Sequence, residues 1–150
     1  MKRSGFTIME MVIVVVLIGI IAAIGFPKIR RSLDKVNVRS ARAAVSTLAA
    51  TARAAAVQRG CTAVIHFVAT NATVWVTTNC AAKVDTVSGI QRLGTRFKVT
   101  MVPSRDSLRF DPRGLSLDNL GSTSTVIRFT GSVGSNVDST VINPLGKVVH

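Results

Sequence analysis

The sequence predicts an α+β protein in which one long N-terminal helix packs its second half on an antiparallel β head. Three observations carry this. Residues 6–26 are mostly apolar with Glu10 as the only ionisable side chain, residues 28–59 are Ala- and Arg-rich without Pro or Gly, and after Gly60 apolar residues recur at every second position. A chain of 150 residues has room for one modest domain and an appendage.

The apolar segment comes first. As a helix, Phe6 to Phe26 would span about 31 Å, close to the hydrocarbon thickness of a bilayer. The mean hydropathy of the whole chain is +0.41, high for a soluble domain, and this segment carries the excess. A cleaved secretory signal fits poorly. Its apolar stretch would be shorter, and Phe26-Pro27-Lys28 offers no small-x-small cleavage site. The net charge is +12, which can attract nucleic acid, acidic lipid or acidic protein. Residues 6–59 hold eight Lys/Arg against Glu10 and Asp34, whereas the longer stretch 60–150 holds nine against five Asp, so the excess is concentrated along the helix.

Beyond Pro27 a stripe of Ile29, Leu33, Val36, Ala43, Leu48, Ala52 and Ala55 follows helical steps, and Gly60 is placed to end the helix in a left-handed conformation. A helix from Phe6 to Arg59 would be about 80 Å long. A head of some 90 residues cannot cover that length, so about half requires burial by a bilayer or by other copies. Gly19, Gly25 and Pro27 weaken the helix where it leaves the apolar segment.

After Gly60, strands are expected over 61–68, 73–80, 96–102, 107–110, 123–130 and 139–142, with loops over 111–121 and 131–139. The first two runs form a hairpin around residues 69–72. Folding it symmetrically sets Cys61 opposite Cys80 and His66 opposite Trp75. Cys61, Ala63, Ile65, Phe67, Val74, Val76, Thr78 and Cys80 then share a face suited to the helix, and Thr62, His66, Thr73, Trp75, Thr77 and Asn79 share a wetter one. The opposed cysteines suit a disulfide in an oxidising compartment, the alternative being two buried thiols.

Enzymatic chemistry has little to build on. The sequence has no phosphate-cradling glycine loop, and Asp106 and Asp111 read as solvated charges beside Arg105, Arg109 and Arg113. No cofactor is expected, and no metal, since His66 falls on the face away from both cysteines. Aromatics are sparse for stacking nucleic-acid bases, and Trp75, the one candidate, reads as partial core.

The junction Lys2-Arg3-Ser4-Gly5 followed by Phe6-Thr7-Ile8-Met9-Glu10 and the apolar run resembles the type III signal of prepilins. The resemblance implies cleavage after Gly5 by a membrane aspartic protease on the cytoplasmic side, followed by N-methylation of Phe6. It places the family's assembly glutamate at Glu10 and its helix-weakening residues at Gly19 and Pro27. An ionised carboxylate in hydrocarbon is costly unless paired, and in pilins the amine of a neighbouring subunit supplies the cation. The implied organisation is a leader over 1–5, a transmembrane and filament-core half-helix over 6–27, an amphipathic half over 28–59 and a periplasmic β-rich head over 60–150, which makes the expected fold pilin-like.

The stretches Phe110-Asp111-Pro112-Arg113-Gly114 and Ile142 to His150 are similar to the heads of the H-type (GspH) pseudopilins and FimT minor pilins. The implied function is a minor pilin or pseudopilin, a structural subunit of a type IV pilus or a type II secretion filament. Its partners would be prepilin peptidase, inner-membrane lipid before assembly, and other pilin or pseudopilin subunits. The alternative is a DNA-binding minor pilin acting in DNA uptake, with Arg105, Arg109, Arg113, Arg128 and Lys147 contacting phosphates. Some FimT proteins use a Gly-Arg-x-Arg motif for this. Here Gly146-Lys147-Val148-Val149 has Lys at the first basic position and an aliphatic residue at the second. A plain single-pass membrane protein is the third reading, since Lys28, Arg30 and Arg31 compete with Lys2 and Arg3 for the cytoplasm.

Overall fold

The computed structural model describes residues 7–81, 83–119, 123–134 and 136–149. A single helix, α1, runs over Ile8–Arg59 and is about 78 Å long. Thr7 caps its start, the hydroxyl accepting from the Glu10 amide at 3.2 Å. Gly60 ends it at φ 62°, a left-handed conformation that glycine adopts without Cβ strain, and the Gly60 amide donates to the Ala56 carbonyl. The helix continues through Pro27, whose missing N–H deprives one carbonyl in the preceding turn of its partner.

The head holds two four-stranded antiparallel sheets. Strands β1 (Thr62–Val68), β2 (Thr73–Cys80), β3 (Lys83–Arg92) and β5 (Ser107–Phe110) form the first, in the order β3-β2-β1-β5. Strands β4 (Val99–Pro103), β6 (Thr125–Gly131), β7 (Val137–Ile142) and β8 (Val148–Val149) form the second, in the order β4-β6-β7-β8. The register of β1 on β2 is the symmetric one, with His66 opposite Trp75 and Thr62 opposite Asn79.

The expected strand over 96–102 is corrected. Arg96 and Phe97 close a short helix, α2 (Leu93–Phe97), Lys98 turns the chain at φ 51°, and the strand begins only at Val99. Strand β3 was not expected. It lies at a sheet edge with few side chains covered, and its register on β2 shifts around Val76, so no clean alternation marks it.

The core forms where α1 meets both sheets. From the helix come Val38, Ala41, Val45, Leu48, Ala49, Ala52 and Ala56, from the first sheet Ala63, Ile65, Phe67, Val74 and Val76, and from the second Met101, Ile127, Phe129 and Ile142. Alanines on the helix face let the strands approach closely, and each fully buried Ile or Phe contributes about 1.5–3 kcal/mol.

The helix stripe needs a second correction. Leu48, Ala52 and Ala55 are buried as expected, but Ile29, Leu33 and Val36 are 57, 58 and 55% exposed, and Ala43 is exposed as well. The line that enters the head starts instead at Asp34 and continues through Val38, Ala41 and Val45.

Candidate functional site

The first half of α1 stands clear of the head. An 18-residue stretch within it has a mean hydropathy of 2.8, none of its residues is buried by the rest of the chain, and it is long and apolar enough to cross a membrane. Glu10 is exposed here among Met9, Met11, Ile13 and Val14, all exposed in turn. Gly5 and Phe6 lie outside the described residues. Gly19 and Gly25 have no heavy atom within 4 Å of where a Cβ would stand, so both are open surface.

The apolar surface does not stop at Pro27. Phe26, Ile29, Leu33, Val36 and Ala43 recur at steps that keep them on one side of α1, the side turned away from the head. The stripe legible in the sequence is therefore an extension of the bare apolar half and not the head-facing seam.

The apolar seam is tied at three points by charged groups that sequence reading missed. Asp34 is 3% exposed, and its carboxylate accepts from the Ser132 hydroxyl at 3.1 Å, the Val133 amide at 3.3 Å and the Asn136 side chain at 2.9 Å. Burial alone would raise its pKa, but the bonds from Asn136, Val133 and Ser132 outweigh that and hold it below the ordinary carboxylate value. Asn136 also donates to the Arg31 carbonyl at 3.3 Å, so the β6–β7 turn clasps one turn of the helix. Further up, Arg42 pairs with Asp138 of β7 at 2.9 Å, and Arg59 reaches Asp85 of β3 at 2.6 Å and the Thr78 hydroxyl at 2.9 Å. One signal pointed to Asp34. Its spacing from Val38, Ala41 and Val45 puts it in phase with the buried face.

Cys61 and Cys80 are joined in a disulfide with Cα atoms 5.2 Å apart, at the open end of the first hairpin and next to the Gly60 cap. On the outer face of that hairpin His66 and Trp75 stack, ring centroids 4.9 Å apart, and His66 Nε2 lies 2.9 Å from the Thr77 hydroxyl. Partial burial lowers the His66 pKa. Trp75 is half-buried on this outer face, the wetter one expected for it, and does not join the core cluster.

The basic residues weighed for phosphate contact are partly neutralised. Arg109 grips Asp118 through Nη2 at 2.6 Å and Nε at 3.0 Å. Arg113 Nε lies 3.1 Å from Asp111. Asp111 is not a solvated charge: at 6% exposure it accepts from the Leu115 and Arg113 amides, and the Leu115 bond is the largest influence lowering its pKa. It holds the turn Pro112-Arg113-Gly114. Arg109 and Arg128 stand on different sheets, and Lys147 is exposed in the turn before β8. Among the described residues no group of three His, Cys, Asp or Glu side chains is placed to hold a metal; His150 lies outside them.

Residues 1–26 match the family described as the prokaryotic N-terminal methylation motif. No curated protein matches the chain in sequence. Among solved structures, the type IV minor pilin FimU of Pseudomonas aeruginosa superposes with a TM-score of 0.58 at 13% identity, over 74% of this chain and 90% of that one. The minor pseudopilin EpsH from the type 2 secretion system of Vibrio cholerae superposes with a TM-score of 0.60 at 7% identity, over 75% of this chain and 94% of that one. At such identities the likeness is one of fold. The chain therefore joins a methylation motif to a pilin-like fold.

Proposed function

We propose that the chain is a minor pilin or pseudopilin, a structural subunit of a type IV pilus or a type II secretion filament. One observation carries the reading: the apolar half of α1, which begins within the methylation motif, is left bare by its own head. Apolar surface of that extent is stable only in a bilayer or against like helices. The precursor sits in the inner membrane with its head on the periplasmic side, is cut after Gly5 by prepilin peptidase and is methylated on Phe6. It then assembles with other pilin or pseudopilin subunits, Glu10 pairing with a neighbour's new amine. The stripe Phe26, Ile29, Leu33, Val36 and Ala43 extends the packing surface past Pro27. The role is mechanical and not catalytic.

Mass spectrometry of the N-terminus tests this. A chain purified from cells with an active prepilin peptidase should begin at methylated Phe6. A chain that keeps residues 1–5 under those conditions, or one cut near Pro27 instead, would remove the filament reading.

A further inference from the structure

The segment that leaves the apolar half carries Lys28, Arg30, Arg31, Lys35 and Arg39, all exposed. Lys28, Arg31, Lys35 and Arg39 follow steps of three and four and so line one side of α1. Asp34 is the one acid among them, and it is spent, its oxygens taken by Ser132, Val133 and Asn136 of the β6–β7 turn. No carboxylate lies within 4.0 Å of any of the five among the described residues. This concentration of charge is thus not used to hold the fold together.

Where these side chains sit decides what they meet. Counting along the helix, the Cα of Lys28 is about 3 Å and that of Lys35 about 14 Å beyond Phe26, while the headgroup layer of one leaflet is about 5–8 Å thick. Helical side chains lean toward the N-terminus, here toward the apolar half, and Lys and Arg extend long stems in that direction. The β6–β7 turn, clasped at Asp34, comes down to the same level. Between it and the helix is a cleft of about 240 Å³ lined by Lys35, Val38, Arg39, Asn136, Val137 and Asp138. The Asp138 carboxylate in its wall is engaged by Arg42 and the Ser139 amide.

Resting on the membrane-anchored precursor proposed above, we infer that Lys28, Arg30, Arg31 and Lys35 form a collar for anionic phospholipid headgroups of the leaflet nearest the head, with the Lys35–Arg39 cleft as its upper rim. Phosphate oxygens are the acceptors these unpaired donors lack, and a surface of anionic lipid attracts such clusters. The collar sets the depth of the precursor and the height of its head over the bilayer. Leaving the membrane then requires its phosphate contacts to be exchanged for others.

The test uses the full chain reconstituted in phosphatidylcholine vesicles containing a minority of phosphatidylglycerol, with spin-labelled lipids reporting which headgroup is retained at the protein boundary. The full chain should prefer phosphatidylglycerol over phosphatidylcholine at least threefold, with the preference shrinking as salt is raised. Replacing Lys28→Gln, Arg31→Gln and Lys35→Gln together should bring the ratio near one. The same charge removed from the head, at Lys83, Arg92 and Lys147, should leave it unchanged. Equal retention of the two lipids by the parent, or equal loss of preference in both variants, overturns the collar. Abolition of the preference by inorganic phosphate but not by chloride at equal ionic strength would mark a free-anion site and also overturn it. Flotation with phosphatidylcholine vesicles separates the two hypotheses: a chain that floats without headgroup preference refutes the collar alone, and one that does not float refutes the membrane anchor.

Discussion

The carboxylate of Asp34 occupies the space that a side chain at Gly131 would need. A Cβ built on Gly131 collides with both Asp34 oxygens, so helix and sheet meet there only because residue 131 has no side chain. This single contact brings α1, β6 and the β6–β7 turn to one point.

Asp34→Ala should destabilise the head by about 1–3 kcal/mol, because it takes the shared acceptor from three part-buried hydrogen bonds, those from Ser132, Val133 and Asn136. Gly131→Ala should cost about 2 kcal/mol or more through overpacking. The pH dependence has a definite sign. Since the folded pKa of Asp34 lies below its ordinary value of 3.8, its contribution is fully present above that value and is lost as pH falls through the folded pKa. Urea unfolding of the parent and Asp34→Ala at pH 7 and pH 3 checks this, and the gap between them should narrow at the lower pH.

Glu10→Ala should be processed and inserted normally yet enter filaments poorly, since removing a carboxylate from an apolar helix favours insertion. Competition between tagged parent and variant in one cell measures incorporation. Equal incorporation would end the pairing argument for Glu10.

Replacing Cys61 and Cys80 together with Ala should lower stability by about 3 kcal/mol, following the closure entropy of a loop with sequence separation 19. Thermal unfolding of both forms reads the difference. Thiol labelling of the unfolded, unreduced parent should find none.

Binding of duplex DNA should be weak at physiological salt. Asp118 and Asp111 already hold Arg109 and Arg113, which leaves Arg105, Arg128 and Lys147 of the five candidates, and Lys147 lacks a second basic residue two positions on. A gel-shift titration over a salt series checks it. Submicromolar binding lost on replacing Arg128 and Lys147 would make DNA uptake the leading function.

The legible parts of the fold were those where a local rule acts alone. The hairpin register followed from a short turn and the alternation of Ile65, Phe67, Val74 and Val76, and the end of α1 from Gly60. Strand β3 escaped because Val84 and Ile90 are both exposed and the chain bulges beside β2. The helix stripe misled for a physical reason. Ile29, Leu33 and Val36 lie on the side of α1 turned away from the head, while the head-facing side mixes Val38, Val45 and Leu48 with alanines, which carry little periodic signal in an Ala-rich segment. Asp34 was hidden by its own chemistry, since an acidic residue in a basic stretch reads as a surface charge until its three donors, about a hundred positions later, are brought beside it.

The clasp at Asp34, the Arg42–Asp138 pair and the Arg59–Asp85 pair are spread along about 38 Å of helix, and they tie it to both sheets. A pull along the helix axis therefore loads all three ties together in shear. A pull that lifts the head away from the helix loads them one at a time, like a zip. A chain built this way resists stretching along its long axis far better than it resists sideways peeling of its head from its helix.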